Sequence, residues 1–306
     1  MVFFKEKIDF TSKFKTNSIG TDINIYLDNK EKEFNNIKEG VKKRIIWFKE
    51  DNKKTPISII YIHGFSASSE EIRPLPDLIA NKLKANIFYT RLKGHGRDAN
   101  DMGQASIKSW LNDLHEAIEV GSRIGKRILV ISTSTGGTLS SIAALDKGLS
   151  KNILGFVFIS PNFGINNKYA SMLTWPLSKY WLGLFIGDTR NSTPRNKLNS
   201  KFWTLNYPTT ALIPMAKLVK IIKQKNFQNV TIPALFYFSL NDKVVDPQKT
   251  INFISQWGGE SKTINVKMTK YDDKYSHIVA GDIISPKQTK KAFSEITRWI
   301  IGINKK

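Results

Sequence analysis

No cysteine occurs among the 306 residues, which excludes disulfides, thiolate nucleophiles and cysteine-ligated zinc and leaves the redox compartment open. Histidine is scarce. Only His63, His95, His115 and His277 are present, so any imidazole chemistry must use one of these four. No run approaches the roughly 18 consecutive apolar residues needed to span a bilayer. The opening Met1-Val2-Phe3-Phe4-Lys5 reaches a charge too early for the apolar stretch of a signal peptide. The expected location is cytoplasmic, or peripheral on a membrane. Acidic residues are also few, 26 against 47 lysines and arginines for a net charge of +21. The excess is concentrated in residues 151–230, which hold eleven basic side chains and a single acid, Asp188. One reading is attraction to an anionic membrane surface or anionic substrates. The plainer reading is a general bias toward lysine and asparagine. No nucleic-acid-binding motif accompanies the charge, so no nucleic-acid partner is expected.

What is present is an alternation of short apolar runs with helical patterns. The runs at 44–49, 57–62, 86–90, 127–131, 153–159, 234–239 and 263–268 are predicted strands, and those near 128–131 and 156–159 are apolar throughout, as strands covered on both faces should be. Residues 106–120 place Ile107, Trp110, Leu111, Leu114 and Ile118 at helical spacing. The first two strands, joined across Asn52-Lys53-Lys54, suggest an antiparallel edge. The rest predicts a mostly parallel sheet flanked by helices. From Pro161 to about Val230 the alternation breaks into an aromatic, basic stretch containing Tyr169, Trp175, Tyr180, Trp181, Phe185, Phe202 and Trp203. This predicts an inserted, mainly helical cap over the carboxyl ends of the strands, where open α/β sheets bind ligands. At least half of those aromatics are expected to form the cap's own small core. The expected organisation is thus an N-terminal extension (1–40), an α/β core (41–160 and 231–306) and a cap (161–230).

Four strand-end loops carry the chemistry. Ser132-Thr133-Ser134-Thr135-Gly136 joins an apolar strand to a helix of small residues. A serine nucleophile is presented on such a turn, with small residues two positions away on each side. Gly136 meets that need, and Ser132 stands where glycine is usual. A simple helix-capping turn is the alternative. His63-Gly64-Phe65-Ser66 follows the second strand, so the Phe65 and Thr135 amides are candidate oxyanion donors, with His63 bracing the loop. Asp242 follows the strand 234–238 and is the candidate acid. Asp246, before Pro247, fits a helix cap better. His277 alone completes the order Ser134, Asp242, His277. His115 is expected on a solvated helix face and His95 as a loop brace.

These four motifs, with Gly94-His95-Gly96-Arg97 and Asp242-Lys243-Val244-Val245-Asp246-Pro247, resemble the α/β-hydrolase superfamily, in particular its capped carboxylesterase and monoacylglycerol-lipase-like branch. The resemblance covers about residues 40–304. It implies a Ser134–Asp242–His277 triad, an oxyanion hole at Phe65 and Thr135, and ester hydrolysis through an acyl-enzyme without metal or organic cofactor. Trp175 and Trp181 of the cap are candidate substrate-binding residues for an ester with an apolar acyl group. Thioester or peptide cleavage on the same triad is the alternative chemistry, and a non-catalytic ligand-binding or membrane-docking protein the alternative class.

Overall fold

The computed structural model describes residues 12–305. Residues 1–11, which include the N-terminal charge pattern and the start of the expected extension, lie outside the described residues. In chain order the elements are α1 (Ile23–Lys32), β1 (Arg44–Ile46), β2 (Thr55–Ile62), α2 (Leu75–Leu83), β3 (Asn86–Tyr89), α3 (Ala99–Met102), α4 (Ile107–Ile124), β4 (Gly125–Thr133), α5 (Thr135–Leu145), α6 (Lys147–Ser150) and β5 (Ile153–Ile159). There follow α7 (Ser178–Ile186), β6 (Thr189–Asn191), α8 (Lys197–Phe202), β7 (Asn206–Pro208), α9 (Leu212–Ile222), β8 (Ala234–Phe238), α10 (Pro247–Ile254), β9 (Ser261–Asn265) and α11 (Pro286–Asn304).

Seven strands form one sheet in the order β1-β3-β2-β4-β5-β8-β9, parallel except for β1. Its two faces follow directly from strand parity. Ile60, Ile62, Ile128, Val130, Phe156, Phe158 and Phe236 point into a cluster shared with α4, α5, α9 and α10. Their neighbours Ile59, Tyr61, Leu129, Ile131, Val157, Ile159 and Leu235 point the other way, against α2 and α11. Both faces are covered, which is why the central strands are apolar throughout.

The antiparallel edge is real but differently made. β1 pairs with β3, not with β2, and β3 lies between them. Asn86, at the start of β3, accounts for the placement. Its side chain accepts Phe48 N–H and donates to the carbonyls of Lys53 and Ile124. The β1–β2 connection is thereby closed around β3 instead of forming a hairpin. The last strand also begins and ends earlier than its apolar pattern implied, at 261–265.

The N-terminal stretch is built into the core, since α1 buries Ile23, Tyr26 and Leu27, and Glu31 pairs with buried Arg91 at 2.8 Å. Between β5 and β8 the chain carries its own two-stranded sheet, β6 with β7. The end of that stretch, however, belongs to the main core: Met215, Leu218, Val219, Ile222, Phe227 and Val230 pack with the sheet's helical layer. The region that stands apart therefore ends near α9, well before residue 230. Its aromatics do not form an internal core as expected. Only Trp203 of the seven is buried, while Tyr169, Trp175, Tyr180 and Phe185 are exposed. The segment's apolar cluster is small, Leu173, Leu182 and Ala216, with Trp181 packed partly buried against it.

Candidate active site

Ser134 sits between the end of β4 and the start of α5 with φ 51° and ψ −118°. A non-glycine residue held there is strained by roughly 1–3 kcal/mol and persists only where its surroundings over-determine it. They do. Ser134 N–H donates to Ile159 O at 3.0 Å, and its carbonyl accepts the amides of Gly137 at 2.9 Å and Asn162 at 3.0 Å. Gly136 has no alternative residue, since a Cβ there would stand 2.3 Å from Ile62 O and 2.6 Å from His63 O. Ser132, fully buried, is accommodated because its Oγ accepts the Ser140 hydroxyl from α5 at 2.9 Å. The departure from glycine thus adds a strand-to-helix hydrogen bond at the turn.

His277 Nε2 lies 3.0 Å from Ser134 Oγ, and His277 Nδ1 lies 2.7 Å from Asp242 Oδ2. All three side chains are buried. Asp242 Oδ1 is held by the amides of Val244 at 2.8 Å and Val245 at 3.0 Å, leaving Oδ2 for the imidazole. Asp246 is engaged elsewhere, capping α10 through Gln248 N–H at 2.9 Å. Burial lowers the His277 pKa, but the carboxylates of Asp242, Glu71 and Asp273 together, Asp242 foremost, outweigh it, and the net direction is up.

The loop after β2 adjoins this group, since a Cβ on Gly64 would stand 3.1 Å from Ser134 Cβ. His63 Nε2 accepts Leu92 N–H at 3.1 Å, so Nδ1 carries the proton and donates to Gly64 O at 2.9 Å. That carbonyl belongs to the planar peptide whose other end is the Phe65 N–H, so holding one fixes the direction of the other. The Phe65 amide itself has no acceptor among the described residues. Thr135, first in α5, has an N–H that no intrahelical carbonyl can satisfy. His95 is fully buried, its ring 4.9 Å from that of His63 and 5.8 Å from that of Phe65, and so packs behind the loop. His115 is not on a fully solvated face: it is half-buried, and its neighbours Asp113 and Glu116 turn inward to Lys43.

His63 also makes a stability prediction. Burial pushes its pKa down to about 4 from the usual 6.5. Between those values the unfolded chain binds a proton that the folded chain does not. Its contribution is therefore complete above pH 6.5, falls with pH and is exhausted once pH passes below 4, about 3 kcal/mol in all. Denaturant unfolding of wild type and His63→Asn should show a stability gap that shrinks from pH 7 to pH 4. A gap independent of pH would show that His63 is not buried neutral.

Three supporting residues escaped the sequence reading. Asp273 Oδ2 accepts the amides of His277 at 3.0 Å and Ile278 at 2.8 Å, and its Oδ1 accepts Tyr275 N–H at 2.9 Å. Arg195, from the stretch between β5 and β8, pairs with the same carboxylate. Glu71 accepts Gly64 N–H at 2.8 Å. An aspartate four residues before a candidate histidine is a usable local signal for Asp273. Nothing local marks the other two.

The β5–β8 stretch meets each loop of the site. Asn166 N–H donates to Val244 O at 3.0 Å, Arg195 reaches Asp273, and Thr204 N–H donates to Ser66 O at 2.8 Å. Tyr207 packs edge-on against Phe65 at 5.3 Å. Trp175 and Trp181 lie 6.1 Å apart, and Trp181 lies 5.7 Å from Phe185. The structure brings these rings together with each other, Trp175 and Phe185 exposed and Trp181 half-buried against Leu173, Leu182 and Ala216.

A curated relative, a thermostable monoacylglycerol lipase from Bacillus sp. (strain H-257), is 28% identical over 192 residues, 63% of this chain and 73% of its own length. Among solved structures, one from a study of two metagenome-derived lipolytic enzymes superposes with a TM-score of 0.67 at 15% identity, covering 87% of this chain and 99% of that one. The monoacylglycerol lipase of Paleococcus ferrophilus does so with a TM-score of 0.62 at 13% identity, covering 86% and 99%. Residues 54–272 match the family model described as serine aminopeptidase, S33. The parallel sheet, its helical layers and this match over most of the chain place the protein in that family of α/β-hydrolases.

Proposed function

We propose that this protein is a serine hydrolase of carboxylic esters, with Ser134 as nucleophile, His277 as general base and acid, and Asp242 as the group that orients and stabilises the imidazole. The observation that carries the reading is the hydrogen-bonded chain Ser134 Oγ–His277–Asp242, with each link at 3.0 Å or less. Ser134 gives its proton to His277 Nε2 as Oγ attacks the ester carbonyl, and the oxyanion is received by the Phe65 and Thr135 amides. The imidazolium then protonates the departing alcohol as the C–O bond breaks. Water repeats the sequence on the acyl-enzyme, with His277 taking its proton and returning it to Ser134.

The stretch from Pro161 to about Ala211 serves as a cap. Its surface exposes Tyr169, Trp175, Leu177, Tyr180, Leu184 and Phe185, with Lys168 over the Tyr169 ring and Lys179 over the Tyr180 ring. Rings and aliphatic side chains flanked by lysines suit the boundary between acyl chains and anionic head groups. Among the described residues no helix is long and apolar enough to cross a membrane; the proposed association is through this surface. Trp175 and Trp181 act there, at the entry of the acyl chain. The relative named as a monoacylglycerol lipase supports a monoacylglycerol as substrate. A peptide with a free ammonium group suits the site less, because residues 151–230 offer one acid against eleven basic side chains.

One assay tests both substrate and surface. Hydrolysis of p-nitrophenyl acetate, octanoate and palmitate, of amino-acid p-nitroanilides, and of monoacylglycerol in neutral or anionic vesicles is compared at fixed ionic strength. The expected order is octanoate and monoacylglycerol well above acetate, faster on anionic vesicles, with p-nitroanilides untouched. Preference for acetate would defeat the lipid assignment. Equal rates on both vesicles would defeat the surface. Cleavage of p-nitroanilides alone would make the enzyme a peptidase.

A further inference from the structure

Glu71 is a buried carboxyl group that the acyl-transfer steps leave without a role. It is 2% exposed, in the turn between β2 and α2. Its Oε2 accepts Gly64 N–H at 2.8 Å and Tyr61 O–H at 3.0 Å. The Tyr61 oxygen also lies 3.1 Å from Oγ1 of Thr133, the residue before Ser134. The same turn carries the His277 loop. Asp282 N–H donates to Arg73 O at 2.9 Å, and Gly281 packs so closely that a Cβ would stand 2.5 Å from Ile72 Cα and 2.8 Å from Glu71 O. Three segments therefore converge on this residue: the oxyanion loop, the end of the nucleophile strand and the histidine loop. Glu71 Oε1 accepts no hydrogen bond among the described residues. It lies 2.7 Å from the point where a Gly64 Cβ would stand, a point itself 3.1 Å from Ser134 Cβ. The carboxyl group thus flanks the reacting serine.

We propose that Glu71 is a positioning residue of the acyl-transfer site, holding the oxyanion loop through Gly64 N–H and acting on the His277 imidazole through its negative charge. The inference rests on the ester-hydrolase reading of Ser134 and His277. The groups that act on Glu71 are Gly64 N–H, Tyr61 of β2 and His277. Behind His277 stand the carboxylates of Asp242 and Asp273. Burial pushes the Glu71 carboxyl up to about 7, against the pull of those hydrogen bonds and of His277. Glu71 in turn is one of the groups that raise His277, so the two titrate as a coupled pair. The sign follows. An ionised Glu71 favours the imidazolium that forms as Ser134 attacks, and it moves the acid limb of kcat/KM to higher pH. Removing the charge lowers that limb and withdraws support from the transition state.

The test is Glu71→Gln, which keeps the shape and an acceptor for Gly64 N–H, assayed on p-nitrophenyl octanoate from pH 5 to pH 9 beside wild type. The acid limb is expected to move down by about half a pH unit or more, with kcat on the plateau reduced by about three- to thirtyfold and KM within about threefold. A limb that stays at the wild-type pH overturns the proposal, whatever happens to the rate, because a purely structural residue would not move it. Should the variant fail to fold, the wild-type protein decides. With histidine isotopically labelled, only four rings are visible, and the His277 ring should titrate in two inflections; a single inflection overturns the proposal. Fluorophosphonate labelling and ester hydrolysis by wild type are measured first. Absence of both defeats the ester-hydrolase reading, whereas an unmoved limb in an active enzyme defeats only the role of Glu71.

Discussion

Replacement of Ser134 by alanine is expected to lower kcat for p-nitrophenyl octanoate by about 10⁶-fold, roughly 8 kcal/mol of transition-state stabilisation. The loss is large because Ser134 carries the hydroxyl that is hydrogen-bonded to His277 Nε2. Ser132 is buried and bonded to Ser140, and Thr133 faces Tyr61. Residual catalysis above the uncatalysed rate should persist, since the Phe65 and Thr135 amides still receive a developing oxyanion when water attacks directly. Folding should be unaffected. The turn is held by backbone bonds from Ser134 to Ile159, Gly137 and Asn162, which alanine retains, and both residues carry the same Cβ at positive φ. The measurement is kcat beside a melting curve and fluorophosphonate labelling of wild type and variant. Retention of most activity, or labelling of the variant at the wild-type rate, would place the nucleophile elsewhere.

Asp242→Asn should cost about 10⁴-fold in kcat, and the local hydrogen bonds explain why. Oδ1 of Asp242 is fixed by the amides of Val244 and Val245. An asparagine keeps its carbonyl oxygen there, because only an acceptor satisfies two N–H donors. Its amide nitrogen must then occupy the place of Oδ2 and present hydrogens to His277 Nδ1. That stabilises the tautomer with the proton on Nε2, the atom that has to accept the Ser134 proton. The imidazolium also loses the carboxylate that raises its pKa most. The variant should melt close to wild type, show kcat reduced by about four orders of magnitude, and recover partially at high pH as hydroxide takes over as base. Activity within tenfold of wild type would mean that a different carboxylate supports His277. Asp246 is already committed to α10, so Asp273 would become the next candidate.

Much of this was legible in the chain because the information is local. The run from Gly125 to Thr133, the small residues of α5 and the glycine at 136 together specify a strand, a sharp turn and a helix that can approach the sheet. The order Ser134, Asp242, His277, each after an apolar run, needed no contact information. Asp246 beside Pro247 was readable as a helix cap for the same reason, since donor and acceptor lie two residues apart.

The remainder was decided in three dimensions. The pairing of β1 with β3 goes with contacts of Asn86 to two separate segments, the β1–β2 loop at Phe48 and Lys53 and the end of α4 at Ile124, 33 to 38 residues distant. The acceptability of Ser132 depends on Ser140, eight residues on and in α5. Glu71 meets Gly64 and Arg195 meets Asp273 across folds of the chain that no periodicity encodes. The aromatic stretch after β5 shows the same division. Its composition announced an apolar surface, but which rings turned inward, as Trp203 does, and which stayed exposed, as Trp175 and Phe185 do, was decided by tertiary packing. Backbone geometry and hydrophobic period are properties of neighbours along the chain, and the sequence by itself determines them here. Burial, the partner of each polar atom and the ionisation of Glu71 and His277 are properties of neighbours in space, which exist only once the sheet, its helices and the loops at its carboxyl edge have packed.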